Sequence, residues 1–306
     1  MRLLVVGGSG LLGYKTARFA VEKHETFFTF NYRRARIEGA TAMRLDKCDR
    51  AATLNMIKKI KPDVVIDAAA LHSVDYCETH PTEAWKVNVA GTRNIVDGCK
   101  QVDSKMIFLS TDYVFNGKEG YYSEDDIPDP LNYYAKTKLE AENIVKSTGI
   151  SYVIARPSVI YGWNPSEIAG LKSSSGKSMN FVIWALGKLR NGQDIKVVND
   201  QYGSPTLADN LAEVLLVMAS SNEEGVYHTA GKSCVDRYNF TLKIAEIFDL
   251  TKDSIKPVTS DAFKQVAERP KRCCLNVTKA EDTFKIRFLK VEEGLSLMKS
   301  QTEEAD

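Results

Sequence analysis

The sequence predicts an α/β fold, a Rossmann-like doubly wound parallel sheet followed by a smaller C-terminal α/β part that binds substrate. Three observations predict it. Short apolar segments alternate with segments of helical periodicity, a glycine-rich turn follows the first apolar segment, and 306 residues with 43% hydrophobic content can bury a large core. Strands spaced by helices of this length form βαβ units, whose sheet is covered on both faces.

The elements follow in chain order from these patterns. Val, Ile, Phe and Thr are concentrated in the strands, whereas apolar residues recur every three to four positions in the helices. The predicted strands are 2–6, 25–30, 42–45, 63–67, 105–110, 152–155, 194–198 and 225–228. The predicted helices are 11–24, 51–60, 82–102, 133–147, 179–190, 207–220 and 239–249. We expect a dinucleotide-binding domain over 1–160 and a substrate-binding part over 161–306, interleaved with the first, with a mobile loop over 165–178.

Charge and cysteine usage exclude several classes of protein. With 41 basic and 40 acidic residues the net charge is +1, which indicates neither a nucleic-acid nor a membrane partner. Six cysteines include no C-x-x-C pair, so free thiols in a reducing, cytoplasmic setting are expected, with a disulfide or metal framework as the alternative. The four histidines are not spaced as metal ligands, and no metal site is predicted.

The glycine-rich turn indicates a phosphate site. Gly7, Gly10 and Gly13 form G-x-x-G-x-x-G between the first strand and the first helix. Glycines allow a tight turn and close approach of a pyrophosphate, and the helix N-terminus offers unpaired N–H groups. A dinucleotide is therefore the expected ligand, and a merely tight turn is the alternative.

The end of the second strand favours NADP (NADPH) over NAD. NAD-binding proteins usually carry an acidic residue there, but this sequence has Arg33 and Arg34, which can pair with a 2′-phosphate. NAD stays open, as do solvated arginines. Asp46, after the third strand, can accept from the adenine amino group. The small residues Ala68, Ala69 and Ala70, after the fourth, let the backbone lie along the nicotinamide ribose and phosphate.

A tyrosine and a lysine are the predicted catalytic residues. Tyr134 and Lys138 lie four residues apart, and so share one face of the 133–147 helix. A neighbouring ammonium is expected to lower the pKa of the phenol. Thr111, Asp112 and Tyr113 follow the 105–110 strand at the carboxyl edge of the sheet, where ligands bind, and Thr111 can hold a substrate carbonyl near the phenol.

These motifs together resemble the extended short-chain dehydrogenase/reductase family, and within it the dTDP-4-dehydrorhamnose reductase branch. The resemblance covers nearly the whole chain. It is carried by segments 7–13, 62–70, 110–117, 130–140 and 198–206. It implies that NADPH reduces the 4-keto group of a nucleotide-linked deoxysugar, with Tyr134 as proton donor, Lys138 as its partner and Thr111 as carbonyl orienter. Further positions match cofactor contacts of the family: Gly10, Leu11, Leu12, Asp46, Lys47 and Ala68–Ala70. Thr111 and Asp112 match its sugar contacts.

One departure keeps alternatives open. The family usually has a tryptophan that packs on the sugar, where this sequence has Val159. The chain also resembles the regulatory β subunit of methionine adenosyltransferase, which shares an Arg-Arg-Ala-Arg segment like 33–36 and lacks that tryptophan. A non-catalytic NADP-binding subunit is therefore one alternative, and a nucleotide-sugar epimerase or dehydratase is another. A homodimer is one assembly that the sequence leaves open.

Overall fold

The computed structural model describes residues 1–164 and 180–303, so the predicted 165–178 loop lies outside the described residues. Its centre is a seven-stranded parallel sheet in the order β11-β6-β5-β4-β1-β2-β3. The strands are β1 (Arg2–Val6), β2 (Glu25–Phe30), β3 (Ala40–Arg44), β4 (Val64–Asp67), β5 (Lys105–Leu109), β6 (Tyr152–Arg156) and β11 (Gly225–His228). Order and direction confirm the predicted doubly wound fold.

Alternating burial shows why the sheet is covered on both faces. Leu3 and Val5 pack into one apolar core and Leu4 and Val6 into another, because successive side chains of a strand point to opposite faces. Helices α1 (Leu11–Ala20) and α8 (Ala208–Ser220) pack together beside the first core. Helices α2 (Arg50–Ile60), α5 (Gly91–Val102) and α6 (Tyr133–Ser147) contribute to the second.

The helix predicted over 82–102 is interrupted. After the short helix α3 (Val74–Thr79), helix α4 (Pro81–Trp85) leads into a π-helical turn, Lys86–Ala90, before α5 begins. The turn carries the buried Asn88, whose amide pairs with the backbone of Leu71. This contact between residues far apart in sequence stabilises the π-helical turn. Hydrophobic periodicity gives no indication of it.

The C-terminal part has its own apolar core. It contains helices α7 (Phe181–Arg190), α9 (Arg237–Ile247) and α11 (Val291–Glu303), and the short pairs β7 (Ile160–Tyr161) with β10 (Thr206–Leu207) and β8 (Ile195–Val198) with β13 (Ile255–Val258). Strand β9 (Tyr202–Gly203) pairs with β12 (Val235–Asp236), and α10 (Thr278–Phe284) packs near β11. Strand β11 belongs to the main sheet and α8 packs against it, although both lie beyond residue 160. The two parts of the chain are therefore interleaved.

Two further observations concern chemistry and surroundings. Cys234 and Cys274 form a disulfide, so the expectation that all six cysteines are free is wrong for this pair. Forty residues separate them, and only tertiary folding brings their Cα atoms to 5.3 Å. Within the described residues, no helix has the length and apolar character needed to cross a membrane.

Candidate active site

The glycine turn has the shape expected of a phosphate site. Gly7 has φ +87°, and a Cβ there would lie 2.9 Å from the backbone nitrogen of Ala69. A Cβ on Gly13 would lie 2.3 Å from the carbonyl oxygen of Gly7, so only glycine lets the helix start this close to the strand. A Cβ on Gly10 would meet just that same oxygen, at 3.4 Å, which leaves open space before the N-terminus of α1. Leu11 and Leu12 form its first turn.

The arginine segment lies beside this turn. Arg33 and Arg34 are exposed just after β2, and the hydroxyl of Ser9 donates to the carbonyl of Arg33 at 2.6 Å. The two guanidinium groups therefore leave from a backbone that is tied to the glycine turn. Asp46 is exposed after β3, where its carboxylate accepts from the backbone of Cys48.

Lys47 faces inward rather than towards solvent. Its buried ammonium lies 2.9 Å from the carboxylate of Asp67 and donates to the carbonyl of Ala69 at 2.6 Å. These bonds hold the half-buried Ala68–Ala70 segment at the carboxyl end of β4. The Lys47 side chain thus holds the Ala68–Ala70 segment in place from the buried side.

Asn88 links the backbone just after the Ala68–Ala70 segment to helix α6. Its carboxamide oxygen accepts from the backbone of Leu71 at 2.8 Å, and its nitrogen donates to Thr137 at 3.0 Å. Thr137 lies between Tyr134 and Lys138 on α6. Asn88 was not among the predicted site residues, and its position in the π-helical turn is the feature that identifies it.

Thr111 and Asp112 are buried at the carboxyl end of β5. The Thr111 hydroxyl donates to Asp112 at 3.1 Å and accepts from the backbone of Tyr113, whose side chain is half-buried. The other oxygen of Asp112 accepts from Ser158 at 2.6 Å. Burial raises the pKa of the Asp112 carboxyl to about 6, although these hydrogen bonds favour its charged form. Ser158 is a second residue that the sequence analysis missed.

Tyr134, Lys138 and Glu142 occupy successive turns of α6. Asn132 caps this helix by accepting from the backbone of Ala135 at 3.0 Å, so the helix begins at Tyr133, one residue before Tyr134. Glu142 is fully buried and forms an ion pair with Arg156 at 2.7 Å. The buried pair anchors the middle of α6 against β6.

The pKa values of Tyr134 and Lys138 differ from expectation. Burial raises the pKa of the Tyr134 phenol, and a hydrogen bond with Thr111 opposes that shift. Burial and the nearby Lys47 charge lower the pKa of Lys138 to about 7. The sequence predicts that a neighbouring ammonium lowers the pKa of the phenol, but the net shift is upwards and burial is its largest cause. A phenol that keeps its proton is suited to protonate an alkoxide.

The predicted residues thus meet at one edge of the sheet. Gly7 lies close to Ala69. Asn88 hydrogen-bonds both the backbone of Leu71, two residues further on, and Thr137, which lies between Tyr134 and Lys138 on α6. The charges of Lys47 and Asp67 act on Lys138, which places its ammonium near the end of β4.

The RmlD substrate binding domain is the family model that matches this chain, over residues 1–303. The dTDP-4-dehydrorhamnose reductase of Aggregatibacter actinomycetemcomitans is 30% identical, with 94% of each chain covered. The bovine methionine adenosyltransferase 2 subunit beta is 28% identical, covering 92% of this chain and 81% of the relative.

Solved structures agree with that match. A hypothetical dTDP-4-dehydrorhamnose reductase from Sulfolobus tokodaii has TM-score 0.82 and 32% identity, with 95% of this chain and 97% of the other covered. The dTDP-4-dehydrorhamnose reductase of Bacillus anthracis str. Ames, in complex with NADP, has TM-score 0.83 and 26% identity, covering 98% and 99%. This chain belongs to the RmlD substrate-binding-domain family. The predicted family resemblance is confirmed.

In this RmlD-family chain a cleft of about 580 Å³ opens beside the start of α6. Asn132 donates to the carbonyl of Glu268 at 2.9 Å, so the cleft wall formed by residues 267–272 is attached to the N-terminal cap of α6. Arg269 in this wall pairs with Asp75 of α3. The basic residues that line the cleft are Lys118, Arg269, Lys271 and Arg272. The sequence analysis missed Arg269, Lys271 and Arg272 because segment 267–272 carries no motif, and it missed Lys118 because that residue lies just beyond segment 110–117.

Val159, where the family resemblance predicts a tryptophan, has an unusual backbone. Val159 has φ +43°, which is uncommon for a β-branched residue. It follows Ser158, and a Cβ on Gly203 would lie 3.1 Å from its side chain. Valine here packs against β9 and offers no flat ring to a sugar.

Proposed function

We propose that this chain reduces the 4-keto group of a nucleotide-linked deoxysugar, with hydride from NADPH and a proton from Tyr134. The observation that carries the proposal is the connected edge of the sheet. There the glycine turn is linked to the helix of Tyr134 and Lys138 through Ala69, Leu71 and Asn88. A separate cleft with basic side chains adjoins the cap of that helix through the bond between Asn132 and Glu268.

The residues present fit a dinucleotide. The open face of Gly10 and the first turn of α1 would receive the pyrophosphate, and the exposed Arg33 and Arg34 would receive a 2′-phosphate. Asp46 and Ala68–Ala70 would border the adenosine and the nicotinamide ribose. When bound, NADPH supplies the hydride, and the chain supplies orientation and the proton. NAD is the alternative cofactor, since only the arginines favour the phosphorylated form.

The chain's own groups account for the proton. Thr111 lies beside the phenol. Its hydroxyl, which donates to Asp112 in this structure, would turn to donate to a substrate oxygen and so hold that oxygen near the Tyr134 hydroxyl. The phenol is protonated at neutral pH, as an ordinary tyrosine is, and burial raises its pKa further. Loss of the proton to an alkoxide leaves a phenolate, which an ammonium on Lys138 stabilises.

The cleft fits the other end of such a substrate. The exposed Lys118, Lys271 and Arg272 can offer charge-assisted hydrogen bonds to a diphosphate, and Arg269, which Asp75 holds in place, adds positive charge beside them. A nucleotide-linked sugar with its diphosphate against residues 267–272 would extend its sugar towards Thr111, because this wall is bonded to the α6 cap.

A non-catalytic NADP-binding subunit is the second candidate. Val159 favours it, together with the similarity to the bovine methionine adenosyltransferase subunit. The decisive experiment follows NADPH absorbance with a dTDP-4-keto-6-deoxysugar as substrate. Turnover supports the reductase. Tight NADP binding without turnover, with co-purification of a methionine adenosyltransferase, supports the subunit.

A further inference from the structure

The Cys234–Cys274 disulfide has one sulfur at the surface and one in the interior. Cys234 is exposed just before β12, whereas Cys274 is completely buried. The adjacent thiol, Cys273, is also buried but faces the carbonyl of Phe115, at 3.7 Å. A solvent thiol can therefore reach the bond from the Cys234 side only.

The bond spans a small three-stranded arrangement centred on β9. On one side β12 pairs with β9, with Val235 opposite Gly203. On the other side the backbone of Cys273 donates to Tyr202 at 3.0 Å, and that of Leu275 donates to the Ser204 hydroxyl at 3.3 Å. The disulfide thus joins the two segments that flank β9.

Both joined segments lead directly to the candidate active site. The segment before Cys274 contains Arg269, Lys271 and Arg272 of the cleft wall. The segment after Cys234 contains Asp236, which caps α9, followed by Arg237. The positive charge of Arg237 acts on Asp112.

The strand between them is coupled to the same carboxylate. The backbone of Ser204 donates to the Ser158 hydroxyl at 3.1 Å, and Ser158 donates to Asp112 at 2.6 Å. Any loosening of the three segments would therefore be transmitted to the cleft wall and to the hydrogen bonds of Asp112.

We propose that Cys234 and Cys274 are a reversible thiol–disulfide modification site that holds the cleft wall in place when oxidised and releases it when reduced. The bond closes a loop across 40 residues, so it restrains the chain in addition to the backbone hydrogen bonds around β9. Its effect on substrate binding rests on the proposed function, whereas its effect on the fold does not.

A small-molecule disulfide such as oxidised glutathione is the oxidant. The Cys234 thiolate attacks one of its sulfurs, forms a mixed disulfide and releases one glutathione thiolate. The Cys274 thiolate then attacks the Cys234 sulfur and releases the second. Two electrons pass from the protein to the small disulfide, and the two thiol protons end on the two glutathione molecules. A dithiol reverses both steps.

The first test compares oxidised and dithiothreitol-reduced protein by alkylation with intact mass, and by hydrogen–deuterium exchange. Reduction should add two alkylation sites, oxidised glutathione should remove them, and exchange at Tyr202, Cys273 and Leu275 should rise on reduction. Cys234→Ser should exchange fast in both states. Cys48→Ser, which changes a partly exposed free cysteine, should behave like the wild type. The melting temperature should fall by about 3–6 °C on reduction of the wild type. A pair that oxidised glutathione leaves reduced, or exchange that reduction leaves unchanged, would overturn the proposal.

The second test uses dTDP as a nucleoside-diphosphate probe of the cleft. Reduction should weaken its binding about 3- to 10-fold in wild type and leave Cys234→Ser unchanged, because a released wall must be ordered again on binding. Equal affinity in both redox states contradicts control of the cleft. Absence of dTDP binding in either state contradicts the proposed substrate instead, while the exchange experiment still decides on the disulfide.

Discussion

The glycine-turn edge and the cleft wall are assembled in different ways. The edge is built from residues near each other in sequence, such as Gly7 and Gly13 or Tyr134 and Lys138, placed by parallel strands. The wall is built from distant pieces, as in Arg269 with Asp75 and Cys234 with Cys274. The first arrangement is readable as motifs, and the second exists only after folding.

This difference predicts a division of labour. Changes at the edge should affect the cofactor and the chemical step, whereas changes in the wall should affect the nucleotide-sugar and leave NADPH binding alone. The link between Asn132 and Glu268 is one of the points at which the two regions are joined. Variants on either side of that link can therefore break or sharpen the division.

The largest effect is expected for Tyr134→Phe. Removing the hydroxyl deletes the proton donor while keeping the ring, so kcat should fall roughly 10²- to 10⁴-fold with NADPH affinity near that of the wild type. Steady-state NADPH oxidation and a fluorescence titration of NADPH measure the two quantities. Tyr133→Phe, at the neighbouring position, is the matched control and should retain activity. Wild-type turnover in Tyr134→Phe would remove this residue from the proposed mechanism.

Arg269→Ala should produce the opposite pattern. The variant removes positive charge from the cleft wall and the ion pair that fixes this wall to Asp75. KM for the nucleotide-sugar is therefore expected to rise about 10- to 100-fold, with the Kd of NADPH unchanged. Lys264 is an exposed residue five positions earlier whose side chain does not line the cleft. Lys264→Ala is therefore the control and should have little effect. If Arg269→Ala weakened NADPH binding equally, the two regions would not be functionally separate.

The sheet and its carboxyl edge could be predicted because each depends on local signals. Buried strands such as Val64–Asp67 are short apolar runs, and the turn at Gly7–Gly13 needs glycine for steric reasons visible in the sequence. The π-helical turn at Asn88 was missed because a contact with Leu71, 17 residues away, stabilises it. No spacing rule connects Cys234 with Cys274 or points to Arg269.

The pKa of Tyr134 shows a related limit. Sequence spacing correctly places Lys138 one turn away, but spacing does not show that Lys138 is buried and Tyr134 half-buried. Desolvation then decides both shifts, upwards for the phenol and downwards for the ammonium.

Cofactor choice should respond to the arginine segment by a smaller factor. Replacing both Arg33 and Arg34 with Ala removes the groups proposed to bind the 2′-phosphate, so the preference for NADP over NAD should fall roughly tenfold or more. The ratio of the two dissociation constants measures this. Arg36→Ala changes a neighbouring exposed arginine and should keep the wild-type ratio. An unaltered ratio in the double variant would assign the preference elsewhere.

The smallest effect concerns the protonation of Lys138. Its pKa of about 7 in the free protein means that at pH 8 most molecules carry the neutral amine. The negative phosphates of a bound dinucleotide favour the ammonium and raise this pKa, so NADP binding should take up close to one proton at about pH 8. Affinity should accordingly fall as pH rises above about 7, by less than tenfold per pH unit.

Calorimetry in buffers of different ionisation enthalpy measures the proton directly. Lys138→Met, which keeps the length of the side chain without its charge, should bind NADP with no uptake and with a flatter pH dependence. Arg33→Ala should weaken binding but preserve the uptake, since its guanidinium does not titrate in this range. If the wild type took up no proton at about pH 8, cofactor binding would leave the protonation of Lys138 unchanged, which contradicts the prediction.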